Sequence, residues 1–157
     1  MRIEGLTRTR HDDRTRVEAR VTFEDAAPPA RTLWFEAGGA FGEALDAEPE
    51  LFVLPAFPIA AWAGERRLRV EGALDATLAT GLGQAATLLR TWFARCSAPV
   101  LEPTEGLRTL RPREEPRAVA LFSGGVDAMA MLRENRDTLP VDHPRSIRSV
   151  LYAFGYS

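Results

Sequence analysis

The chain has 157 residues, of which 45% are hydrophobic and 27% charged, and its formal net charge is −2. This composition is typical of a globular protein with room for one domain and part of a second, and the near-neutral charge predicts no nucleic-acid partner. No apolar run reaches about 18 residues and the N-terminus is polar, so we expect neither a membrane-spanning helix nor a signal peptide.

The usage of cysteine, histidine and lysine narrows the chemistry that this chain can perform. The single cysteine, Cys96, has no partner for an internal disulfide, which fits the reducing cytoplasm where we expect the protein to reside. Cys96, His11 and His143 are too scattered in sequence to predict a metal cluster. All 20 basic residues are arginine, and this excludes a Walker-type phosphate loop and Schiff-base chemistry, since both need lysine.

The first part of the sequence has the alternating pattern of β-strands. Apolar residues occupy every second position in 16–24, which predicts a half-buried antiparallel strand. Residues 1–10 can pair with it through a polar turn, and 31–37 follow a Pro28-Pro29 turn as a third strand. We therefore expect a three-stranded meander.

Residues 48–64 are apolar nearly all round. This pattern favours a buried helix or a pair of short helices, with Pro55 and Pro58 as kinks. Residues 66–74 then read as a short strand that ends at Gly72.

A longer helix is predicted over residues 76–96, with Asp75 as its N-cap. Gly81 and Gly83 weaken the helical pattern in its first half. Six residues at helical spacing define its expected core face: Leu78, Leu82, Ala85, Leu88, Leu89 and Trp92. All three tryptophans of the chain lie in apolar patterns and are expected in the core: Trp34, Trp62 and Trp92.

The sequence predicts an α+β N-terminal domain over residues 1–103, a linker rich in proline and charge over 104–116, and a second domain over 117–157. In the second domain the pattern changes. Residues 118–122 form a continuous apolar run, which predicts a strand buried on both faces, and a helix and a second apolar strand follow. This order predicts one βαβ unit.

The sequence Ser-Gly-Gly-Val-Asp joins the apolar strand to the helix at residues 123–127. Two glycines let the backbone turn sharply, so that successive N–H groups face one concavity. The helix adds its free N–H groups and the positive end of its dipole, and Ser123 adds a hydroxyl donor. These features predict a phosphate site without lysine. The alternative is a tight turn with Asp127 as a helix cap.

The stretch "LFSGGVDAMAML" resembles the PP-loop of the ATP pyrophosphatases (adenine nucleotide alpha hydrolase-like proteins), whose signature is Ser-Gly-Gly-x-Asp-Ser after a buried strand. That superfamily includes asparagine synthetase and the 7-cyano-7-deazaguanine synthases. The order of the two domains is also similar to that of uncharacterised bacterial proteins with a C-terminal PP-loop domain. The resemblance implies a Rossmann-like parallel α/β sheet and adenylation of a substrate by ATP, with release of pyrophosphate.

Carried over by position, the resemblance assigns three residues to the pyrophosphate end of ATP: Ser123, Gly124 and Gly125. Asp127 would position the phosphates or help to bind Mg²⁺, and Val126 would contribute its backbone N–H. Phe122 leads into the loop. Gly155, at the end of the second strand, resembles the place where such folds hold adenine. The implied cofactors are ATP and Mg²⁺.

Two departures from the family pattern stand out. Ala128 replaces the second serine, which removes one phosphate donor, an interaction worth about 1.5–3 kcal/mol. The sequence also ends at Ser157 after two of about five strands that such a sheet needs, and a lone βαβ unit buries too little surface to fold alone. The exposed edge of residues 150–154 would invite self-association. We expect a shortened or frame-disrupted copy of a longer enzyme; the alternative is that a second chain supplies the missing strands.

The function predicted from the sequence is that of an ATP-binding PP-loop protein whose full-length form adenylates a small acid, amide or base. We do not expect this chain to turn over ATP by itself, and the sequence leaves open whether it is an enzyme. It names no acceptor substrate and no nucleophile. Two alternatives remain: a non-catalytic binding or interaction module that acts through the N-terminal domain, and a plain phosphate-binding module.

Overall fold

The structure, a computed structural model, describes residues 1–109 and 118–152. The chain divides into two compact units, Met1–Leu110 and Arg111–Ser157, here called the first and the second unit. The expected mixed α+β class is confirmed by a mixed sheet with helices in the first unit and by two strands with a helix in the second. In the described part of the chain, every helix is too short or too polar to cross a membrane.

The predicted meander is present at the start of the first unit. Strand β1 (Arg2–His11) pairs antiparallel with β2 (Arg14–Thr22), which pairs antiparallel with β3 (Arg31–Gly38). The tight turn between β1 and β2 contains Asp12 with φ 54°, a left-handed conformation that aspartate tolerates better than most residues. The apolar residues of β2 face the core as predicted, since Val17, Ala19 and Val21 are buried.

Four further strands complete the sheets of the first unit: β4 (Arg67–Val70), β5 (Leu74–Asp75), β6 (Val100–Pro103) and β7 (Leu107–Arg108). Strands β4 and β6 add to the meander in parallel, which gives a five-stranded mixed sheet of order β3-β2-β1-β4-β6. Strands β5 and β7 form a separate two-stranded parallel pair.

Part of the range 104–116, which the sequence predicts as a linker, forms backbone hydrogen bonds with strands of the first unit. Thr104 N–H donates to the Val70 carbonyl at 2.9 Å, and Glu105 N–H donates to the Gly72 carbonyl at 3.1 Å. Strand β7 then pairs with β5. Residues 110–116 lie outside the described residues. The start of the range expected as a linker is therefore hydrogen-bonded to strands of the first unit.

The described part of the first unit contains three helices: α1 (Gly39–Ala44), α2 (Pro49–Ala63) and α3 (Ala76–Trp92). Helix α2 is one continuous helix that accommodates Pro55 and Pro58, and Gly64 ends it in a left-handed conformation with φ 75°. Asp75 caps α3 as predicted, because its carboxylate accepts a hydrogen bond from Leu78 N–H at 2.8 Å.

The hydrophobic core lies between the inner face of the five-stranded sheet and helices α2 and α3. It combines residues of every layer: Met1, Ile3, Val17, Ala19, Phe52, Val53, Phe57, Leu68, Val70, Leu74, Leu82 and Ala86. Phe35 of β3 adds an edge-to-face contact with Phe52, with ring centroids 5.9 Å apart. Cys96 is buried as a free thiol.

The expectation that the tryptophans lie in the core is wrong. Trp34 is 50% exposed, Trp62 47% and Trp92 67%. The alternation of β3 turns Leu33 and Phe35 inward, so Trp34 points outward, where the Arg16 guanidinium lies 4.3 Å from its ring centroid. An apolar neighbourhood in sequence does not fix the face on which a tryptophan lies.

The core face predicted for α3 is also wrong in its second half. Leu82 and Ala86 are buried and Leu78 is partly buried, so the inward row follows i, i+4 spacing. Leu88 is 54% exposed, because both Leu88 and Trp92 lie to one side of that row. Similarly, Leu54, Ile59 and Trp62 leave one side of α2 exposed, although this helix is apolar nearly all round.

The second unit is a βαβ unit, as predicted. Strand β8 (Ala118–Leu121) leads to helix α4 (Val126–Thr138), and β9 (Ile147–Leu151) pairs parallel with β8. Burial of β8 on both faces is not observed: Ala120 is buried, whereas Val119 and Leu121 are exposed. The described part of this unit contains one helix, α4, which contacts β9.

Candidate functional site

The candidate site is the loop that joins β8 to α4. The Phe122 N–H donates to the Leu151 carbonyl at 2.9 Å, which extends the parallel pairing of β8 and β9 by one residue. The chain then turns through Ser123, Gly124 and Gly125 and enters α4 at Val126. The strand pair therefore fixes the point from which the loop starts.

The turn depends on the backbone conformation of Gly124. Its φ is 77°, in the left-handed region that residues with a Cβ adopt at a cost of about 1–2 kcal/mol. A Cβ built on Gly124 would meet nothing within 4 Å, so the requirement for glycine comes from the backbone and not from crowding. Ser123 Oγ accepts a weak hydrogen bond from Gly125 N–H at 3.3 Å, which closes the turn.

Helix α4 begins with free hydrogen-bond donors. Gly125 is its N-cap in an extended conformation and supplies no side-chain cap. Met129 N–H donates to the Gly125 carbonyl at 3.1 Å, and the N–H groups of the first turn before it have no acceptor within the helix. These donors, together with the positive end of the helix dipole, favour an anion at this point.

Asp127 lies in this first turn and is exposed. Its carboxylate makes no hydrogen bond or ion pair with any residue that the structure describes, and it does not cap the helix. The carboxylate is thus free to meet a cation or to interact with the helix dipole. No group of three or more histidine, cysteine, aspartate or glutamate side chains in the described ranges is arranged to hold a metal ion.

The loop is an open surface. Ser123, Gly124, Gly125, Val126 and Asp127 are exposed, and Phe122 is half-buried. A groove of about 540 Å³ lies elsewhere in this unit, between α4 and β9, where Met129, Arg133 and Val150 are among its lining residues. Of the residues singled out from the sequence, the structure brings together 122–127, whereas Gly155 lies outside the described residues.

The residues present fit a phosphate group better than a metal ion alone. The free N–H groups of α4 and the Ser123 hydroxyl are donors, which phosphate oxygens accept. For Mg²⁺ the loop offers a single carboxylate, Asp127. Since Mg²⁺ in proteins is usually held by one or two carboxylates together with water and substrate phosphates, this carboxylate fits the ion only when phosphates are bound.

A second polar cluster, in the first unit, is not predictable from the sequence. Glu65 is fully buried, and its carboxylate accepts hydrogen bonds from the Met1 ammonium and from the backbone N–H groups of Glu24, Asp25 and Ala26. Burial raises the pKa of Glu65, but these donors more than offset it and hold the pKa below its ordinary value. The only sequence signal is a charged residue directly after the Gly64 helix end.

Glu24 extends this cluster toward the surface. It lies 3.3 Å from the Met1 ammonium and forms two hydrogen bonds of 2.9 Å with the Arg67 guanidinium. The Arg67 hydrogen bond is the largest cause that lowers the pKa of Glu24 to about 2, with burial opposing it and the ammonium adding to it. Each carboxylate here has its partners, so the cluster supports the fold and offers no free catalytic group.

Comparison of the chain with protein-family models, with curated proteins and with solved structures gives no match.

Proposed function

We propose that residues 122–127 bind the phosphates of ATP together with Mg²⁺, and that the second unit is the first βαβ unit of a Rossmann-like PP-loop domain. The observation that carries the proposal is the position of the left-handed Gly124 between a parallel strand pair and the uncapped N-terminus of α4. Parallel sheets bind ligands beyond the carboxyl ends of their strands, which is where this loop lies.

Backbone groups would provide most of the contacts. The free N–H groups at the start of α4, which include those of Val126 and Asp127, can donate to phosphate oxygens, and the Ser123 hydroxyl can turn from Gly125 to the ligand. Glycine at 124 and 125 leaves room for the phosphates to approach the backbone. The site needs no lysine, in keeping with a chain that has none.

The negative charge of Asp127 should make the binding of ATP depend on a divalent cation. A carboxylate beside a polyphosphate is repulsive unless a divalent cation lies between them. Asp127 would therefore favour Mg·ATP and disfavour metal-free ATP. The bound nucleotide would supply an activated α phosphate for attack by a small-molecule acceptor, with pyrophosphate as the leaving group.

We predict opposite effects of Asp127→Asn with and without Mg²⁺. The substitution removes a metal ligand, so we expect Mg·ATP to bind about tenfold more weakly, a loss of about 1.4 kcal/mol. It also removes a negative charge, so we expect ATP in excess EDTA to bind more tightly than it binds the unsubstituted chain. Calorimetric titration of the whole chain in both buffers measures the two affinities, and a pyrophosphate-release assay on the same samples tests for turnover.

Asp137→Asn is the matched control, since Asp137 is an exposed aspartate at the other end of α4, where it pairs with Arg133 at 3.5 Å. It should leave both affinities unchanged. Gly124→Ala, which strains the turn, should weaken binding in both buffers. Absence of binding at millimolar Mg·ATP, or an equal loss in the Asp137 control, would refute the phosphate site.

A further inference from the structure

A cavity of about 180 Å³ lies in the first unit between helix α2 and the edge of the sheet at β3. Three buried residues line its deep end, namely Met1, Val21 and Ala56. The half-exposed Ile59 and the exposed Arg31 and Thr32 mark its mouth. The described residues that line this cavity all belong to the first unit, and no role proposed above uses it.

The strand register explains why an arginine borders an apolar cavity. Cross-strand partners in an antiparallel pair project to the same face, and β3 pairs Leu33 with Ala19 and Arg31 with Val21. Ala19 and Val21 face the core. Arg31 therefore continues the inward row of β3 at its first position, where an apolar residue would be expected.

The charge of Arg31 is not neutralised within the part of the chain that the structure describes. No carboxylate there lies within ion-pair distance of its guanidinium, and the described residues that line the cavity include no acidic side chain. By contrast, Arg67 of β4 pairs with both Glu24 and Glu102. Among the described residues, the cavity thus combines an apolar interior with an unpaired cation, Arg31, at its mouth.

We infer that this cavity binds a small carboxylate whose apolar group fills the space between α2 and β3 and whose carboxylate pairs with Arg31. A guanidinium matches a carboxylate through two parallel hydrogen bonds, which a neutral or cationic head group cannot accept equally. An engineered cavity of about 150 Å³ holds benzene, so a chain of about six to eight carbons suits the observed volume. The first unit would then have a ligand of its own, independent of the nucleotide proposal.

The test uses three probes with the same eight-carbon chain: octanoate, octanol and octylammonium. Backbone amide shifts of the ¹⁵N-labelled whole chain are followed during each titration. We expect saturable shifts at Val21, Leu33 and Ala56 with octanoate, and binding of octanol and octylammonium that is at least fivefold weaker.

Arg31→Gln should weaken octanoate binding about fivefold to tenfold, and Arg31→Lys should restore part of it. Arg20→Gln is the control, because Arg20 is an exposed arginine on the neighbouring strand that faces away from the core. Ala56→Leu fills the deep end and should abolish the octanoate shifts. If that variant does not fold, the head-group comparison in the unsubstituted chain still decides.

Equal affinity for octanoate and octylammonium would overturn the inference, as would an Arg31→Gln affinity equal to that of the control. So would shifts confined to the exposed surface around Trp62 and Phe93, since that result would locate the probe on the outer side of α2.

Discussion

Glu65 and Asp127 show how burial decides the role of a carboxylate. Both lie beside backbone N–H groups, but Glu65 is fully buried and accepts those hydrogen bonds, whereas Asp127 is exposed and its carboxylate is unpaired within the described residues. A buried charge that is fully hydrogen-bonded stabilises one conformation, and an exposed one is available to a ligand. Glu65 therefore supports the structure of the first unit, whereas Asp127 is the carboxylate for which we propose a role in binding.

Glu65→Gln is expected to destabilise the first unit by about 2–4 kcal/mol. The glutamine amide would place an N–H₂ group next to N–H donors that need an acceptor. It would also remove the negative charge that compensates the burial of the Met1 ammonium. Urea unfolding followed by circular dichroism measures the change. Glu105→Gln, at an exposed glutamate, should change the free energy of unfolding by less than about 0.5 kcal/mol. Equal effects of the two substitutions would contradict the structural role of Glu65.

The stability of the first unit should fall in acid because of the same cluster. The pKa of Glu24 is lowered from its ordinary value of 4.5 to about 2, and the pKa values of Glu65 and Asp25 are lowered as well. The unfolded chain therefore binds protons first as the pH falls. The contribution of these groups is complete above about pH 4.5 and is lost toward pH 2.

Unfolding free energies measured between pH 7 and pH 2 check this dependence. Glu24→Gln should flatten the decline below pH 4.5, because it removes the carboxylate that titrates there. An unchanged slope in this variant would show that Glu24 does not contribute to the acid sensitivity.

At the scale of the elements, the two glycines within α3 weaken the prediction of a helix, yet α3 runs without interruption from Ala76 to Trp92. The Asp75 cap and the packing of Leu82 against the core offset the low helix propensity of Gly81 and Gly83. Helix propensity therefore identifies the two positions that disfavour α3, whereas capping and packing against the core determine that the helix forms.

Gly83→Ala should stabilise the first unit by about 0.5–1 kcal/mol, since Gly83 is an exposed position of α3 where a Cβ meets nothing within 4 Å. Gly72→Ala provides the contrast. Gly72 has φ 94°, and its Cβ would lie 2.9 Å from Pro49 Cγ, so we expect destabilisation by about 1–2 kcal/mol. Melting temperatures should move in opposite directions, and a shift of the same sign in both variants would contradict the argument.

At the scale of the whole molecule, the hydrophobic core belongs to the first unit. Its buried residues run from Met1 to Ala86, and every layer that they connect lies before residue 110. In the second unit α4 contributes no buried residue, and Val119, Leu121, Val150 and Leu151 of the strands are exposed. A surface of this kind on a small parallel sheet favours association.

A fragment of residues 1–109 should therefore fold cooperatively and remain monomeric, whereas the whole chain should associate through the sheet of the second unit as its concentration rises. Circular dichroism with urea unfolding tests the first statement, and sedimentation velocity over a hundredfold range of concentration tests the second. A fragment that unfolds without a cooperative transition would show that the second unit contributes to the core. Equal association of fragment and chain would exclude the second unit as its cause.

The sequence predicted the elements better than their faces. The meander, the Asp75 cap and the βαβ order follow from local patterns, namely a period of two, a capping residue and a glycine turn. The outward positions of Trp34, Leu88 and Trp92 do not follow, because they depend on which neighbouring element covers each face. For the candidate site, the sequence indicated residues 122–127. The structure explains why position 124 is glycine, because its backbone is in the left-handed conformation.

The sequence by itself determined the local turns and the helix cap, because these depend on the conformational preferences and chemistry of neighbouring residues. It also showed directly that the chain has no lysine. Only the tertiary structure decided that Glu65 is buried beneath the Met1 ammonium and that Arg31 borders an apolar cavity. The residues that form these two environments are distant in sequence. Strand register and helix packing bring them together, and no local pattern contains that information.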